Sequence, residues 1–401
     1  MNNNNALIVE SAICLFLLLI QLPATAILFS RLLKGPRRHP PIEPQQPTPE
    51  LLGKVSVVVP TLNEALRISP LLAGLSQQSY EVREIMVVDS KSSDGTPDLV
   101  KASQQKDPRF RLMTDDPLPS GWVGRPWALH NGFLYSSEAS QWFLGLDADI
   151  QPHPGLVAGL VKMAEAQGYD LVSLSPQFIL KYPGECWLQP ALLMTLLYRF
   201  DPAGINTERP ERVMANGQCF LCRRSVLAAV GGYSSAKSSF CDDVTLARNI
   251  AAQGYKVGFL DGAKVVKVRM YEGAIETWKE WGRSLDLKDA TSRSQLWGDL
   301  WLLTSVQGLP LLIVLTFLLI SPPLSHLPIP PLLLLGLNLF LVVIRFAMLI
   351  AIAPSYDRTS AKGSWLFWLS PFADPLAVLR IFLSAFNTPR EWRGRKYSAE
   401  L

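Results

Sequence analysis

Two carboxylates one residue apart, Asp147 and Asp149 in LGLDADI (144–150), close an apolar run with the character of a buried strand. In an extended backbone residues i and i+2 point to the same side, so both side chains can face one ligand. Hard oxygen donors of this kind suit Mg²⁺ or Mn²⁺, which keep several waters and take their other ligands from phosphates. A lone Asp-x-Asp is equally well explained as a solvated turn, so the neighbouring motifs decide. Glu64, after TLN (61–63), and Asp89 and Asp94, in DSKSSDGT (89–96), come with several hydroxyls, groups that can accept hydrogen bonds from a nucleobase and a ribose. In GWVGR (121–125), two glycines allow close approach of backbone to a ligand, and Arg125 stands where a helix over 126–138 would begin. A helix N-terminus beside a cation is a site for a diphosphate. Asp242 and Asp243 precede VTLARNIAAQG, whose apolar face (Val244, Leu246, Ala247, Ile250) and Gly254 mark a helix. Ordinary capping would also account for that acidic pair.

The elements that must position these groups are short apolar strands alternating with helical segments. Residues 54–60, 84–89, 142–147 and 170–175 are near-continuous apolar runs, which imply a mostly parallel sheet covered on both faces. In such α/β sheets ligands sit beyond the carboxyl ends of the strands, where the polar motifs fall. Hydrophobic residues make up 48% of the 401-residue chain, and the excess lies at its two ends. Residues 6–30 carry one charge, Glu10, and are long enough to cross a bilayer; a cleavable leader is the alternative, but MNNNN lacks a basic start. Arg31, Lys34, Arg37 and Arg38 follow and mark the cytoplasmic side, which places the next domain inside. A Pro-rich stretch, 36–49, reads as a stiff linker. Two further stretches are long enough to span: 300–320, uncharged, and 331–352, containing only Arg345. The loop 321–330 lacks Lys and Arg, whereas Arg358 and Lys362 follow the second stretch, so the first faces outward and the second inward. Residues 365–386, interrupted by Pro371, Asp374, Pro375 and Arg380, read as an in-plane segment, because crossing would leave the basic tail (Arg390, Arg393, Arg395, Lys396) outside.

The expected organisation is therefore a transmembrane helix (1–30), a basic linker (31–53), a cytoplasmic catalytic domain (54–285), a connector (286–299), two transmembrane helices (300–352), and an in-plane segment with a basic tail (353–401). This describes a multi-pass protein of a cell inner membrane or another cytoplasm-facing membrane. The net charge of +4 is small and mostly scattered, which does not point to nucleic acid. Five cysteines at irregular spacing do not form a secreted disulfide framework, and Cys219 and Cys222, a CxxC without a second pair, read as ordinary thiols rather than a zinc or redox site.

Five motifs in this order, VVVPTLNE (57–64), VVDSKSSDGT (87–96), GWVGRPWALHNG (121–132), LDADI (146–150) and CDDVTLARNIAAQGYKVGF (241–259), resemble the family 2 inverting glycosyltransferases, which have the GT-A nucleotide-sugar-binding fold. The resemblance covers roughly residues 54–285. It implies that Glu64, Asp89 and Asp94 contact the nucleoside, that Asp147 and Asp149 hold the metal and diphosphate, and that Asp243 is the catalytic base. Arg125 stands where the family usually has Lys, which keeps the charge and changes the geometry. The QxxRW signature of processive members is absent from the sequence; the region offers Trp278, Trp281 and Arg283 instead, which argues for a single hexosyl transfer. The layout, with EWGRSLDLKDA (280–290) and WRGRKY (392–397), looks like the bacterial carotenoid glycosyltransferases, with hopanoid-associated enzymes nearly as close. The implied partners are a nucleotide-sugar donor and a lipid-soluble hydroxylated acceptor. A membrane protein that binds a nucleotide-sugar without catalysis is the alternative from another class, although it would be expected to have lost the DxD or Asp243.

Overall fold

Val55–Thr61 (β1) is buried at every position, as a strand covered on both faces must be. The computed structural model describes residues 2–207, 209–282, 285, 287, 290–320 and 327–386, with the backbone of 391–392 and 395–396. Those residues divide into two compact units.

One unit comprises residues 37–179 and 202–270. Its strands, after β1, are β2 (Val82–Asp89), β3 (Phe110–Thr114), β4 (Trp142–Leu146), β5 (Ile150–Pro152), β6 (Leu171–Ser175), β7 (Gln177–Ile179), β8 (Cys219–Arg223), β9 (Val257–Asp261) and β10 (Val266–Val268). Seven of them form one sheet in the order β3-β2-β1-β4-β8-β6-β9. The pairs β1/β2, β1/β4, β2/β3 and β6/β9 are parallel, and only β8 runs antiparallel, between β4 and β6. The expected mostly parallel α/β sheet is thus present. From β1 the chain moves outward to β2 and β3, then returns to β4 on the other side. That reversal opens a crevice at the carboxyl ends of β1 and β4. A smaller ladder pairs β10 with β5 antiparallel and with β7 in parallel. Cys219 and Cys222 lie in β8, where residues three apart face opposite sides. Both thiols are fully buried, and burial pushes their pKa values well up, so they are core residues.

The Pro-rich stretch differs from its expected role as a spacer. The NH groups of His39, Ile42 and Gln45 donate to the carbonyls of Gly204, Asp261 and Gly155 at 2.8, 2.8 and 3.1 Å, and Ile42 is buried. An extended segment has unpaired backbone groups, and this one satisfies them along the domain edge. Gly155, at φ +84°, has no room for a side chain, because a Cβ there would stand 2.6 Å from the carbonyl oxygen of Gln45.

The other unit holds residues 2–36, 180–201 and 271–386. Among the described residues, four helices are long and apolar enough to cross a membrane: Leu7–Arg37, Arg293–Ile320, Ile329–Ser355 and Ser364–Phe386. Bulky apolar side chains such as Leu19, Leu319 and Val343 stand exposed on them, as lipid-facing residues do. Ser364–Phe386, expected to lie in the membrane plane, also meets that length and composition. It begins as a 3₁₀ helix, Ser364–Ala373, and continues as an α-helix, Asp374–Phe386. Of the basic tail that argued against its crossing, Arg390 and Arg393, like Arg283 and the loop residues 321–326, lie outside the described residues. Pro183–Arg199, expected within the 54–285 domain, belongs to the apolar unit, where the Trp187 indole donates to the Leu369 carbonyl at 3.1 Å. Its 17 residues are too few to read as a span, so its apolar pattern matches that of a soluble core helix. Trp278 and Trp281 also fall in this unit; Trp281 is buried, and the Arg380 guanidinium stands over the Trp278 ring at 5.8 Å from its centroid.

Candidate active site

The crevice is edged by three loops that leave the carboxyl ends of β1, β2 and β4. The first two are stitched together. Asp89, the last residue of β2, takes hydrogen bonds on Oδ1 from Thr61 Oγ1 (3.0 Å) and Ser92 Oγ (2.6 Å), and on Oδ2 from the Ser92 NH (2.9 Å). Asp94 caps the next turn: Oδ1 accepts from the NH and hydroxyl of Thr96, and Oδ2 from the Ala65 NH at 2.9 Å. Desolvation opposes ionisation of Asp94, yet the Thr96 and Ala65 donors outweigh it and hold the carboxyl below its usual range. The Thr96 hydroxyl also accepts from the Glu64 NH at 2.9 Å, which fixes the buried Glu64 at the end of β1. Asn63, at φ +55°, accepts from the Ser93 NH, and its own NH donates to Ser92. Glu64, Asp89 and Asp94 therefore share one preformed edge, with much of the hydrogen-bonding capacity of both aspartates spent within it.

The third loop carries Asp147 and Asp149. These carboxylates lie in a tight turn between β4 and β5, not in the extended backbone expected from the sequence, because β4 ends at Leu146 and β5 begins at Ile150. Both are partly exposed, with Ala148 buried between them. Arg125, in the first turn of Gly124–Tyr135, reaches this loop. Its guanidinium makes three attachments. Nε donates to Asp147 Oδ1 at 3.0 Å, Nη1 to Asp242 Oδ2 at 2.5 Å, and Nη2 to the Gly217 carbonyl at 2.8 Å. The planar guanidinium serves these three acceptors from three separate nitrogens held in one fixed plane. The sequence pointed to Arg125 as a diphosphate contact, and here it is first the clasp that joins the Asp147 turn to the acidic helix start.

That helix is Asp242–Ala252, with both acidic residues in its first turn as the sequence indicates, and the two carboxylates face different surroundings. Asp242 is buried against Arg125; burial pushes its carboxyl up to about 7, against the pull of Arg125 and with help from Asp243. Asp243 keeps partial exposure and accepts the Gly217 NH on Oδ2 at 2.6 Å. Burial raises its pKa too, while Arg125 and the backbone donors of Val244 and Gly217 lower it. Gly217 thus donates to Asp243 and accepts from Arg125. Sequence reasoning missed it; the one available signal is the polar turn ANGQ (215–218) directly before β8.

A Cβ on Gly217 would stand 2.3 Å from Arg125 Nη2. The guanidinium is already held by two carboxylates, so Gly217→Ala is expected to displace it and lower kcat/KM roughly 10²-fold, the cost of about 1 Å of misplacement. A folded variant, verified by circular dichroism, with unchanged kcat/KM would remove Gly217 from this role.

Among the described residues, no group of three or more His, Cys, Asp or Glu side chains is arranged to hold a metal. Asp147 and Asp149 are two hard donors at a strand end, so a cation there would complete its shell with water and substrate oxygens, as Mg²⁺ and Mn²⁺ do. The donor chemistry fits such an ion.

Residues 56–231 are a glycosyl transferase family 2 domain by match to the family model of that description, and the α/β sheet described above is the GT-A-like fold of that family. Over 268 residues the chain is 26% identical to 4,4'-diaponeurosporenoate glycosyltransferase of Staphylococcus haemolyticus, covering 65% of this chain and 70% of that protein. It is also 26% identical over 239 residues to N-acetylglucosaminyl-diphospho-decaprenol L-rhamnosyltransferase of Mycobacterium tuberculosis, covering 52% of this chain and 74% of the relative. A solved structure of a mannosyltransferase from Pyrobaculum calidifontis, in complex with GDP-Man and Mn²⁺, is 19% identical with a TM-score of 0.46, covering 92% of this chain and 99% of that one.

Proposed function

We propose that the chain is a membrane-bound, inverting, non-processive glycosyltransferase that moves one hexosyl group from a nucleotide-sugar to a hydroxyl of a lipid-soluble acceptor, with a carotenoid as the acceptor class. The observation that carries this reading is the partly exposed Asp243 at a helix start, tied through Gly217 and Arg125 to the Asp147 turn. Glu64, Asp89 and Asp94 present the edge for the nucleoside. Asp243 takes the acceptor's hydroxyl proton as that oxygen bonds to the anomeric carbon and the sugar–diphosphate bond breaks from the opposite face. A base with a raised pKa holds the abstracted proton more firmly, which helps this step. Asp147 and Asp149 would hold Mg²⁺ or Mn²⁺, which when bound supplies positive charge to the leaving diphosphate. Arg125 keeps the carboxylate groups in place and adds its own charge to the same field. The catalytic domain faces the cytoplasm, on the side marked by Arg31, Lys34, Arg37 and Arg38.

The four long apolar helices support a membrane-borne acceptor, and the name of the staphylococcal relative supports a carotenoid. The mycobacterial relative favours a second reading, a polyprenyl-linked lipid, and a hopanoid is a third acceptor of similar solubility. The test compares lipid and pigment extracts, by chromatography and mass spectrometry, from cells lacking the protein and cells carrying wild type or Asp243→Asn. A glycosylated carotenoid lost on deletion and restored by wild type alone is the expected result. Loss of a different glycolipid with unchanged pigments would replace the carotenoid. If no glycosylated lipid changes, the transferase reading falls.

Chelation provides a separate check. Transfer by purified protein should stop with excess EDTA and return with Mn²⁺ or Mg²⁺. In Asp149→Asn, half-maximal recovery should require at least about tenfold more metal, as loss of one charged ligand implies. Undiminished transfer in EDTA would exclude the metal role of this turn.

A further inference from the structure

The helix Ile329–Ile352 carries a single charge, Arg345, and the apolar unit builds a polar centre around it. Arg345 is 4% exposed, and Nε and Nη2 donate to Asp374 Oδ2 and Oδ1 at 2.7 and 3.0 Å. Gln307 donates through Nε2 to the same Asp374 Oδ1 (3.1 Å) and to the Ala191 carbonyl (2.9 Å), which fixes its amide orientation, because a flipped amide would set oxygen against two acceptors. Among the described residues, Arg345 Nη1, a donor, and Gln307 Oε1, an acceptor, are buried without a hydrogen-bond partner, as is Ser305 Oγ on the adjoining turn. Both residues line one cavity, of about 240 Å³ counting its open mouth, whose other walls include Val306, Leu311, Leu341 and Pro371. Its centre has room for one water-sized group at most.

Gln307 lies on a π-helical turn, Thr304–Gly308, inside an otherwise α-helical segment. Turns of this kind interrupt the regular ladder and are frequent at functional sites. The adjoining Ser305 carbonyl is taken by Gln21 Nε2 at 2.9 Å, and Gln21 exchanges hydrogen bonds with Asn338. The polar centre is therefore held rigidly from several helices.

We propose that this cavity is a binding site for a hydroxyl group. Asp374 already neutralises Arg345, so the site does not call for an anion. What it lacks is an acceptor for Nη1 and a donor for Oε1, and a single O–H oxygen supplies both. Its two sources are a bound water and the terminal hydroxyl of a membrane amphiphile whose chain leaves through the apolar mouth. The inference concerns the apolar unit alone and stands apart from the assignment of Asp243.

The test uses the full chain in lipid nanodiscs and a pair of probes, a long-chain primary alcohol and its methyl ether. The ether can accept from Nη1 and cannot donate to Oε1. The amphiphile source predicts that the alcohol binds at least about tenfold more tightly than the ether, read from thermal stability against probe concentration. Arg345→Lys, which keeps the charge opposite Asp374 and removes Nη1, should weaken both probes alike, whereas Gln307→Met, which keeps the side-chain length and removes Oε1, should abolish the preference. The water source predicts no preference, with an isolated ordered oxygen between Arg345 and Gln307 in a high-resolution structure of the nanodisc sample. Equal binding of alcohol and ether, with no ordered oxygen between those side chains, would overturn the proposal.

Discussion

Asp243→Asn is expected to lower kcat about 10²–10⁴-fold with a hydroxyl acceptor while leaving donor binding within about threefold of wild type. The replacement keeps the size of the side chain and an oxygen for the Gly217 NH, so the loop should hold its shape. What disappears is the proton acceptor. The same variant also distinguishes acceptor chemistries. The staphylococcal relative is named for a diaponeurosporenoate, a carboxylate. Such an acceptor is already ionised near neutral pH and needs no base, so with it the variant should lose less than about tenfold. Single-turnover rates with one acceptor of each type, beside equilibrium binding of the nucleotide-sugar, make the measurement. A loss below tenfold with the hydroxyl acceptor would remove Asp243 as the base. In the wild type, because burial raises the Asp243 pKa, kcat/KM should fall on the acid side from a higher pH than an ordinary carboxylate would give.

Much of the catalytic unit is legible in the chain because parallel strands buried on both faces leave an unambiguous mark. VSVVVPT and VREIMVVD are apolar almost without interruption, and the polar residues then fall where each strand stops. β8 is harder to read, since CFLCR does not reveal its antiparallel direction, and direction is decided by neighbours distant in sequence. The acidic pair at 242–243 is visible as a helix start, but the division between a buried Asp242 and a partly exposed Asp243 depends on Arg125 arriving from 117 residues away. Gly217 is the clearest omission. Its role lies in its backbone NH and carbonyl, which no side-chain pattern advertises. The apolar unit shows the opposite difficulty. Pro183–Arg199 and Ser364–Phe386 have compositions that suit a soluble core, a membrane plane or a span, and only packing separates these.

Arg125→Met should destabilise the folded chain by about 3–5 kcal/mol at neutral pH, the usual consequence of removing one partner from a buried ion pair. Methionine fills a similar volume, so the loss measures charge and hydrogen bonds more than a cavity. The effect should depend on pH with a definite sign. Asp242 already titrates near 7 beside Arg125, against about 4 for an aspartate in the unfolded chain. Without the guanidinium its folded-state pKa must rise further. A carboxyl with a raised folded pKa binds more protons folded than unfolded, so its contribution to stability is largest below the unfolded value and declines as pH rises through the folded one. The gap in Tm between wild type and Arg125→Met should therefore be smallest and nearly constant below about pH 7, open as pH rises through the wild-type value, and reach its full extent only above the variant's still higher one. Arg125→Met combined with Asp242→Asn should recover most of the loss at high pH, since the stranded charge is gone. Arg125→Lys should fall between, keeping one cation while replacing three attachments with one ammonium. Thermal unfolding across that pH range, in one detergent, reads all four proteins. If the gap proved independent of pH, the stability conferred by Arg125 would come from packing, and the carboxylates at 147, 242 and 243 would be held in place by the loops themselves.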